Sequence, residues 1–346
     1  MTLSNSHAAF SQAWPAFALV AGLLLVGGTA GREGLFAEVG ALAARVRGGG
    51  ATLLVSLLLV TAIVSAVLNL DTAVVFMTPV LVHAARHRGL GEAPFLYGAV
   101  FMANSASLLL PGSNLTNLIV LAQDHVSGST FAARLWPAWL VAVAVTIAFV
   151  TVAFRRDLVP RGASEPERAA FRPGAGTAAA AVSSVLVLVL SQPALPVLAL
   201  GAAAAIAGRL PLRSALRAAN PLLLGSVLAV AVLLGTVARA VHGLGHLATH
   251  AGRWATMWIG AGAAIAVNNL PAAAVLSAHA PAHPRALLLG LDLGPNLAVT
   301  GSLSAALWLQ VARANGARPS VVRYSLLGLA LAPVSLGLAL LTATRF

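Results

Sequence analysis

Of the nine acidic residues in this chain, only two, Asp71 and Asp292, fall inside apolar stretches. An ionisable group at membrane depth is costly and is a functional-site candidate by default. Asp71 lies in Asn69-Leu70-Asp71-Thr72 and Asp292 in Asp292-Leu293-Gly294-Pro295-Asn296. Each could cap a half-helix by accepting N–H bonds, or hold a proton or cation, and the two roles are compatible. Amides and hydroxyls collect around them. Asn69, Thr72, Asn104, Ser113, Asn114, Thr116 and Asn117 come from the first half of the chain; Asn268, Asn269, Asn296, Thr300 and Ser302 come from the second. Such groups suit a small, oxygen-rich cargo. The structural alternative is that they satisfy one another where helices open. No Arg stands in these polar breaks, so a neutral or cationic cargo fits more easily than a multivalent anion, although Na⁺ ions or helix dipoles also hold anions.

The elements that carry these residues follow from composition. The chain is 59% hydrophobic and 9% charged, against about a quarter charged in soluble domains. Its natural solvent is lipid. The apolar segments lack the alternation of barrel strands, so the fold class is an all-α polytopic membrane protein. Every basic residue is Arg, and the formal charge is +12. Because the arginines lie in loops between apolar runs, they read as topology signals rather than as a nucleic-acid surface. The absence of Cys excludes disulfides and thiolate metal sites. Residues 1–12 hold no basic residue, which argues against a signal peptide, and the run 13–30 is expected to be a retained helix.

Further apolar segments fall near 51–68, 72–85, 95–122, 135–154, 177–191, 194–208, 221–238, 254–267, 271–280, 286–312 and 320–343. The segments around Asn69–Asp71 and around Asn268–Pro271 predict two re-entrant hairpins, near 51–86 and 254–280. The segments 95–122 and 286–312 predict two broken transmembrane helices. With hairpins that return to their own side, 16 of the 21 basic residues share one side, and Arg134, Arg239, Arg253, Arg285 and Arg345 take the other. That asymmetry marks the Arg-rich loops as cytoplasmic, in a bacterial inner membrane, and gives about eight full spans. Residues 1–154 and 177–346 then read as inverted repeats joined by a cytoplasmic linker, 155–176, with the first repeat shortened or its start placed late. Short polar-faced helices are expected in the interface at 33–47 and 239–250. In such folds the cargo site lies at the midplane, where broken helices meet.

His242, His246 and His250 share one helix face and read as a wetted interfacial surface rather than a metal site. No P-loop, HExxH or Ser-His-Asp arrangement is present, so neither an enzyme nor a cofactor is expected.

At its breaks the chain resembles the ion transporter superfamily, and within it the arsenite/antimonite efflux permeases of the ArsB type. The residues that carry the resemblance are Leu68 to Val80, Ala103 to Asn117, Val267 to Pro271, and Asp292-Leu293-Gly294-Pro295-Asn296 followed by Thr300 to Leu303 and Leu307-Trp308-Leu309. The resemblance implies expulsion of arsenite or antimonite against entering protons. A second copy of the chain and, in some members, a cytoplasmic ATPase are the protein partners it admits. Carried over by motif, Asn69, Asp71, Thr72, Ser113, Asn114, Asn117, Asn268, Asn269, Asp292 and Ser302 form the candidate site. Asp71 and Asp292 are the expected proton acceptors; the remainder, with Thr116, Asn296 and Thr300, are expected cargo ligands. Asn296 stands where related permeases carry Lys, Leu297 to Thr300 differ from the usual pattern, and two N-terminal helices typical of the family are missing. The transport rival is Na⁺- or H⁺-coupled carriage of a dicarboxylate, sulfate or Na⁺. A rival of another class is a membrane subunit that docks an ATPase.

Overall fold

The protein is described here by a computed structural model covering residues 2–35, 38, 48–121, 126–160, 171–190, 192–240 and 247–343. The described residues form helices and no strand. α1 (Thr2–Arg32) is followed by α2 (Gly50–Val67), α3 (Leu70–His87), α4 (Ala93–Ala106), α5 (Leu115–Val120) and α6 (Gly128–Ala153). Then come α7 (Ala175–Val189), α8 (Ala194–Ala207), α9 (Leu212–Ala219), α10 (Pro221–Ala240), α11 (Arg253–Val267), α12 (Asn269–Leu276), α13 (Pro284–Leu293), α14 (Leu303–Ala314) and α15 (Val321–Ala343). Among the described residues, five helical stretches are long and apolar enough to cross a membrane: those within α1, α2, α6 and α15, and Leu212–Val237, which spans α9 and α10 across Asn220. Their outward faces carry large apolar side chains such as Ile63, Val152, Leu222 and Leu326, as a lipid-facing surface requires.

All four polar breaks are real interruptions, and they share one local cause. Each supplies the N-cap of the half-helix that follows. Asn69 Oδ1 accepts from the Thr72 N–H at 2.6 Å, Asn114 Oδ1 from Thr116 at 3.2 Å, Asn268 Oδ1 from Leu270 at 3.3 Å, and Ser302 Oγ from Ala305 at 3.3 Å. Asn and Ser side chains offer the freed N–H groups a partner that water cannot supply in hydrocarbon. In the two broken helices, short 3₁₀ turns, Pro111–Ser113 in the first and Gly294–Leu297 and Val299–Gly301 in the second, carry the chain between the halves. Asn268 reaches its cap position with φ +75°, a left-handed conformation that Asn tolerates better than most side chains.

The packing is reciprocal. α2 and α3 form the first hairpin and lie against α4, while α11 and α12 form the second and lie against α13. α3 touches α14, the C-terminal piece of the second broken helix, and α12 touches α5, the C-terminal piece of the first. α1 packs on α8 and α10 and also reaches α3 and α5. The largest apolar core surrounds α2, α3 and α4. At one edge of it Tyr97, Phe101, Trp308 and Tyr324 stack at centroid separations of 4.9–6.4 Å. The Trp308 indole donates to Leu96 O at 2.8 Å, fixing α14 against the first half, and the Tyr324 hydroxyl donates to Pro295 O at 2.9 Å, tying α15 to the second broken helix.

The run expected over 13–30 begins much earlier, at Thr2, and within the largely exposed polar start of α1 one residue, Gln12, is anchored on other helices. Gln12 is buried and donates to Ile119 O, Ser277 O and Ser277 Oγ at 2.9–3.1 Å. α9 is a further helix that no apolar run announced: none of its side chains is buried. The interfacial helices expected at 33–47 and 239–250, with His242 and His246, fall mostly outside the described residues, as does the middle of the linker.

Candidate functional site

The structure places the expected residues in two separate constellations. The first is centred on Asp292. This residue lies one position from the C-terminus of α13, so of the two readings open for it, helix cap or proton and cation site, the cap does not hold; a carboxylate at that end of a helix also opposes the helix dipole. Its partners come from the other half of the chain instead. Asn114 Nδ2 donates to Asp292 Oδ1 at 2.9 Å, and the Thr116 hydroxyl donates to the same oxygen. Both donors stand in the first turn of α5, so the carboxylate meets the positive end of a half-helix belonging to the other half. Asp292 Oδ2 and Asn117 Oδ1 are buried and have no partner.

Next to it a chain of side chains ties the two broken helices together. Asn104 Nδ2 donates to Asn296 Oδ1 at 2.9 Å, and Asn296 Nδ2 to Ser105 Oγ at 3.3 Å. Ser304 donates to Asn104 Oδ1 at 3.1 Å and shares a 2.8 Å hydrogen bond with Ser302. Asn296 is thus engaged by protein on both ends of its amide, which suits a strut better than a free cargo ligand. Ser113 is likewise occupied, donating to Ser107 O and Leu110 O. Asn117 Nδ2 holds Ser107 O at 2.9 Å and Leu110 O at 3.2 Å, which leaves its oxygen for another group.

The second constellation is the tip of the first hairpin. Asp71 is the second residue of α3 and forms the floor of a cavity of about 80 Å³. Thr72, Phe76, Leu224, Leu303 and Leu307 also line this cavity, and so does Arg217 of α9. Asn69 Nδ2 and Thr72 Oγ1 are buried beside Asp71 without partners. None of the lining residues belongs to the Asp292 cluster. The two aspartates therefore do not share this cavity, contrary to the expectation of one midplane site.

At the second hairpin tip the groups satisfy each other. Asn268 Nδ2 donates to Thr300 O at 3.3 Å and the exposed Thr300 hydroxyl to Ile265 O at 3.0 Å. Asn269 is buried but joins neither constellation by a described hydrogen bond.

Sequence reasoning missed Arg217, Gln12 and the serines at 105, 107 and 304. The serines sit within three residues of Asn104 or Ser302, so proximity to a break was the available signal. Arg217 counted only as a topology charge, and Gln12 lay just outside the first apolar run.

A silicon efflux transporter, LSI3, of Oryza sativa subsp. japonica is 29% identical over 156 residues. That match covers 45% of this chain and 32% of the relative, so the chain spans about a third of that relative's length. Among solved structures, the crystal structure of the YdaH transporter of Alcanivorax borkumensis, which has an unusual topology, superposes with a TM-score of 0.59 over 99% of this chain and 86% of that one. At 13% identity the likeness establishes the fold alone. The family profile described as citrate transporter, CitMHS, matches residues 2–300. This polytopic chain, whose matched relatives are transporters, belongs to the citrate transporter family.

Proposed function

We propose that the chain exports an uncharged, polyhydroxylated oxyacid, arsenite or antimonite, across a bacterial inner membrane in exchange for protons. The observation that carries this reading is the Asp292 constellation. There a buried carboxylate is held by the amide and hydroxyl of the opposite half and, among the described residues, has one oxygen without a partner, as has Asn117 on the same half-helix as those donors. Undissociated arsenite is a neutral trihydroxide and needs hydrogen-bond donors and acceptors rather than a fixed counter-charge. Silicon in water is also mainly an uncharged hydroxide, and the similarity to a silicon efflux transporter supports export of this class of solute. The resemblance to arsenite/antimonite permeases narrows the class to those two cargoes.

The reciprocal contacts α3 with α14 and α12 with α5 support reading residues 1–154 and 177–346 as inverted repeats that move against each other, with the Arg-rich side cytoplasmic. Asp71 and Asp292 then alternate between proton and cargo, so that each favours a different facing state. Asn69, Thr72, Asn114, Thr116 and Asn117 are the cargo ligands this reading retains, while Ser113, Asn296 and Ser302 act as supports. Expression in an arsenite-sensitive host tests it: arsenite accumulation should fall below that of the empty vector. Accumulation equal to the vector, with the protein inserted, removes this cargo.

A second reading is cation-coupled carriage of a carboxylate. The description of the family as citrate transporters favours it, as does Arg217 beside the Asp71 cavity. Flux assays with citrate and with Na⁺ replaced separate the two. Docking to a cytoplasmic ATPase through the Arg-rich loops would appear as dependence of export on that partner.

A further inference from the structure

We propose that Arg217 is a cargo-binding residue, and that the Asp71 cavity holds a small oxyacid bridging Asp71 and Arg217. The proposal rests on the export reading above and assigns a residue and a location to it. Asp71 is buried and receives no hydrogen bond from a described residue, whereas Arg217 is exposed. The carboxylate therefore marks the floor of the cavity and the arginine its mouth. The two line one space without forming an ion pair. They are the charged members of a lining that is otherwise mostly apolar, with Leu24, Phe76, Leu224 and Leu307 among it. Thr72 lines the same space, and among the described residues its buried hydroxyl and the Asn69 amide nitrogen beside it have no partner.

This set of groups selects by charge. A bare cation meets the arginine at the mouth, and a multivalent anion meets a carboxylate at the floor, where low dielectric magnifies like-charge repulsion. A neutral oxyacid satisfies both ends, its hydroxyl donating to Asp71 and its oxygen accepting from Arg217. Arg217 is carried by α9, which packs against α1. No side chain of α9 is buried, and Asn220, at φ +39°, separates it from α10.

The test is isothermal titration of the purified full chain with arsenite, antimonite, silicic acid and citrate. The chain has no cysteine, so arsenite binding cannot arise from thiol ligation. Arg217→Gln should weaken oxyacid binding about tenfold, the order expected for losing one charge-assisted hydrogen bond. Arg217→Lys should restore part of that loss. Arg213→Gln, on the same helix but outside the cavity lining, should bind as the parent does. Equal oxyacid affinity in Arg217→Gln and the parent, no binding of any oxyacid, or binding of citrate alone overturns the proposal. Arg217-dependent binding of silicic acid without arsenite keeps the site and removes arsenite as cargo. Arginine-independent arsenite binding does the reverse.

Discussion

At the first hairpin tip Asn69 and Thr72 are fully enclosed, whereas at the second Asn268 is partly open and its partner Thr300 is exposed. The two tips share their chemistry, an Asn that caps the returning helix, and differ in what covers them. α1 and α14 lie over the first. At the second, Asn268 Nδ2 donates to Thr300 O and the Thr300 hydroxyl donates to Ile265 O. Of the two tips, among the described residues, the first is the one that holds buried unpartnered polar atoms, Asn69 Nδ2 and Thr72 Oγ1. Burial without satisfaction is costly, so the first tip is the place where a ligand or proton gains most by binding. If the hairpins are interchangeable parts of a rocking carrier, as we propose, this difference in cover is what one facing state looks like.

The comparison breaks most decisively at the carboxylates. Asp292→Asn should abolish pH-driven transport in proteoliposomes, because it removes the titrating group where the halves meet. Asp71→Asn should reduce transport strongly as well, through the enclosed tip. Asn114→Leu, which deletes one charge-assisted hydrogen bond to Asp292 worth about 1.5–3 kcal/mol, should lower transport by about tenfold or more. Unchanged pH-driven flux in both aspartate variants would sink the coupling assignment.

Two glycines sharpen the contrast in cover. A Cβ on Gly27 of α1 would lie 2.7 Å from Thr72 Cγ2, whereas one on Gly262 of α11 meets nothing within 4 Å. Gly27→Leu should therefore overpack the first tip at a cost of about 1–3 kcal/mol, lowering the thermal midpoint and transport together. Gly262→Leu should leave both near the parental values. Similar losses from the two substitutions would mean that the covers are alike in the membrane. Between the tips, Asn104→Ala removes the residue that holds Asn296 and Ser304, stranding buried groups at a cost of about 1–3 kcal/mol. Thermal unfolding should report it, with transport reduced only in proportion.

Much of this architecture was legible because hydrocarbon permits few ways to interrupt a helix. Asn69, Pro111 to Asn114, Asn268 and Gly294 to Ser302 each announced a break, and each is one. What periodicity and composition could not supply was which groups meet across the chain. Nothing local says that Asp292 is answered by Asn114 and Thr116 rather than by Asp71, since that depends on how the two broken helices cross. Nor does a short basic segment such as Leu212 to Ala219 say that Arg217 turns toward a cavity. Its charge predicts a side of the membrane and leaves its position over α3 to tertiary packing. The polar start of α1 misled in the opposite sense, because Gln12 is satisfied by Ile119 and Ser277, partners distant in sequence.

The smallest effect concerns the anchoring of α1, the helix that covers the first tip alone. Glu33 follows the end of α1 and caps the start of α7. Its carboxylate accepts from the Thr177 hydroxyl at 2.6 Å and from the N–H groups of Gly176, Thr177 and Gly174 at 2.7, 2.8 and 3.1 Å. Burial by itself pushes Glu33 up, but the Thr177 hydroxyl and those three N–H groups together hold it below the ordinary glutamate value. A group depressed in the folded state contributes stability that is present above its unfolded pKa and lost as pH falls through the folded one. Glu33→Gln should therefore lower stability at neutral pH, by about 1 kcal/mol or less given the solvent around it. The gap between parent and variant should close once the pH drops below about 4, the range of an unperturbed glutamate. Thermal midpoints measured across pH 3–7 check this. A gap that persists undiminished at pH 3 would mean that the ionised carboxylate does not hold α1 in place.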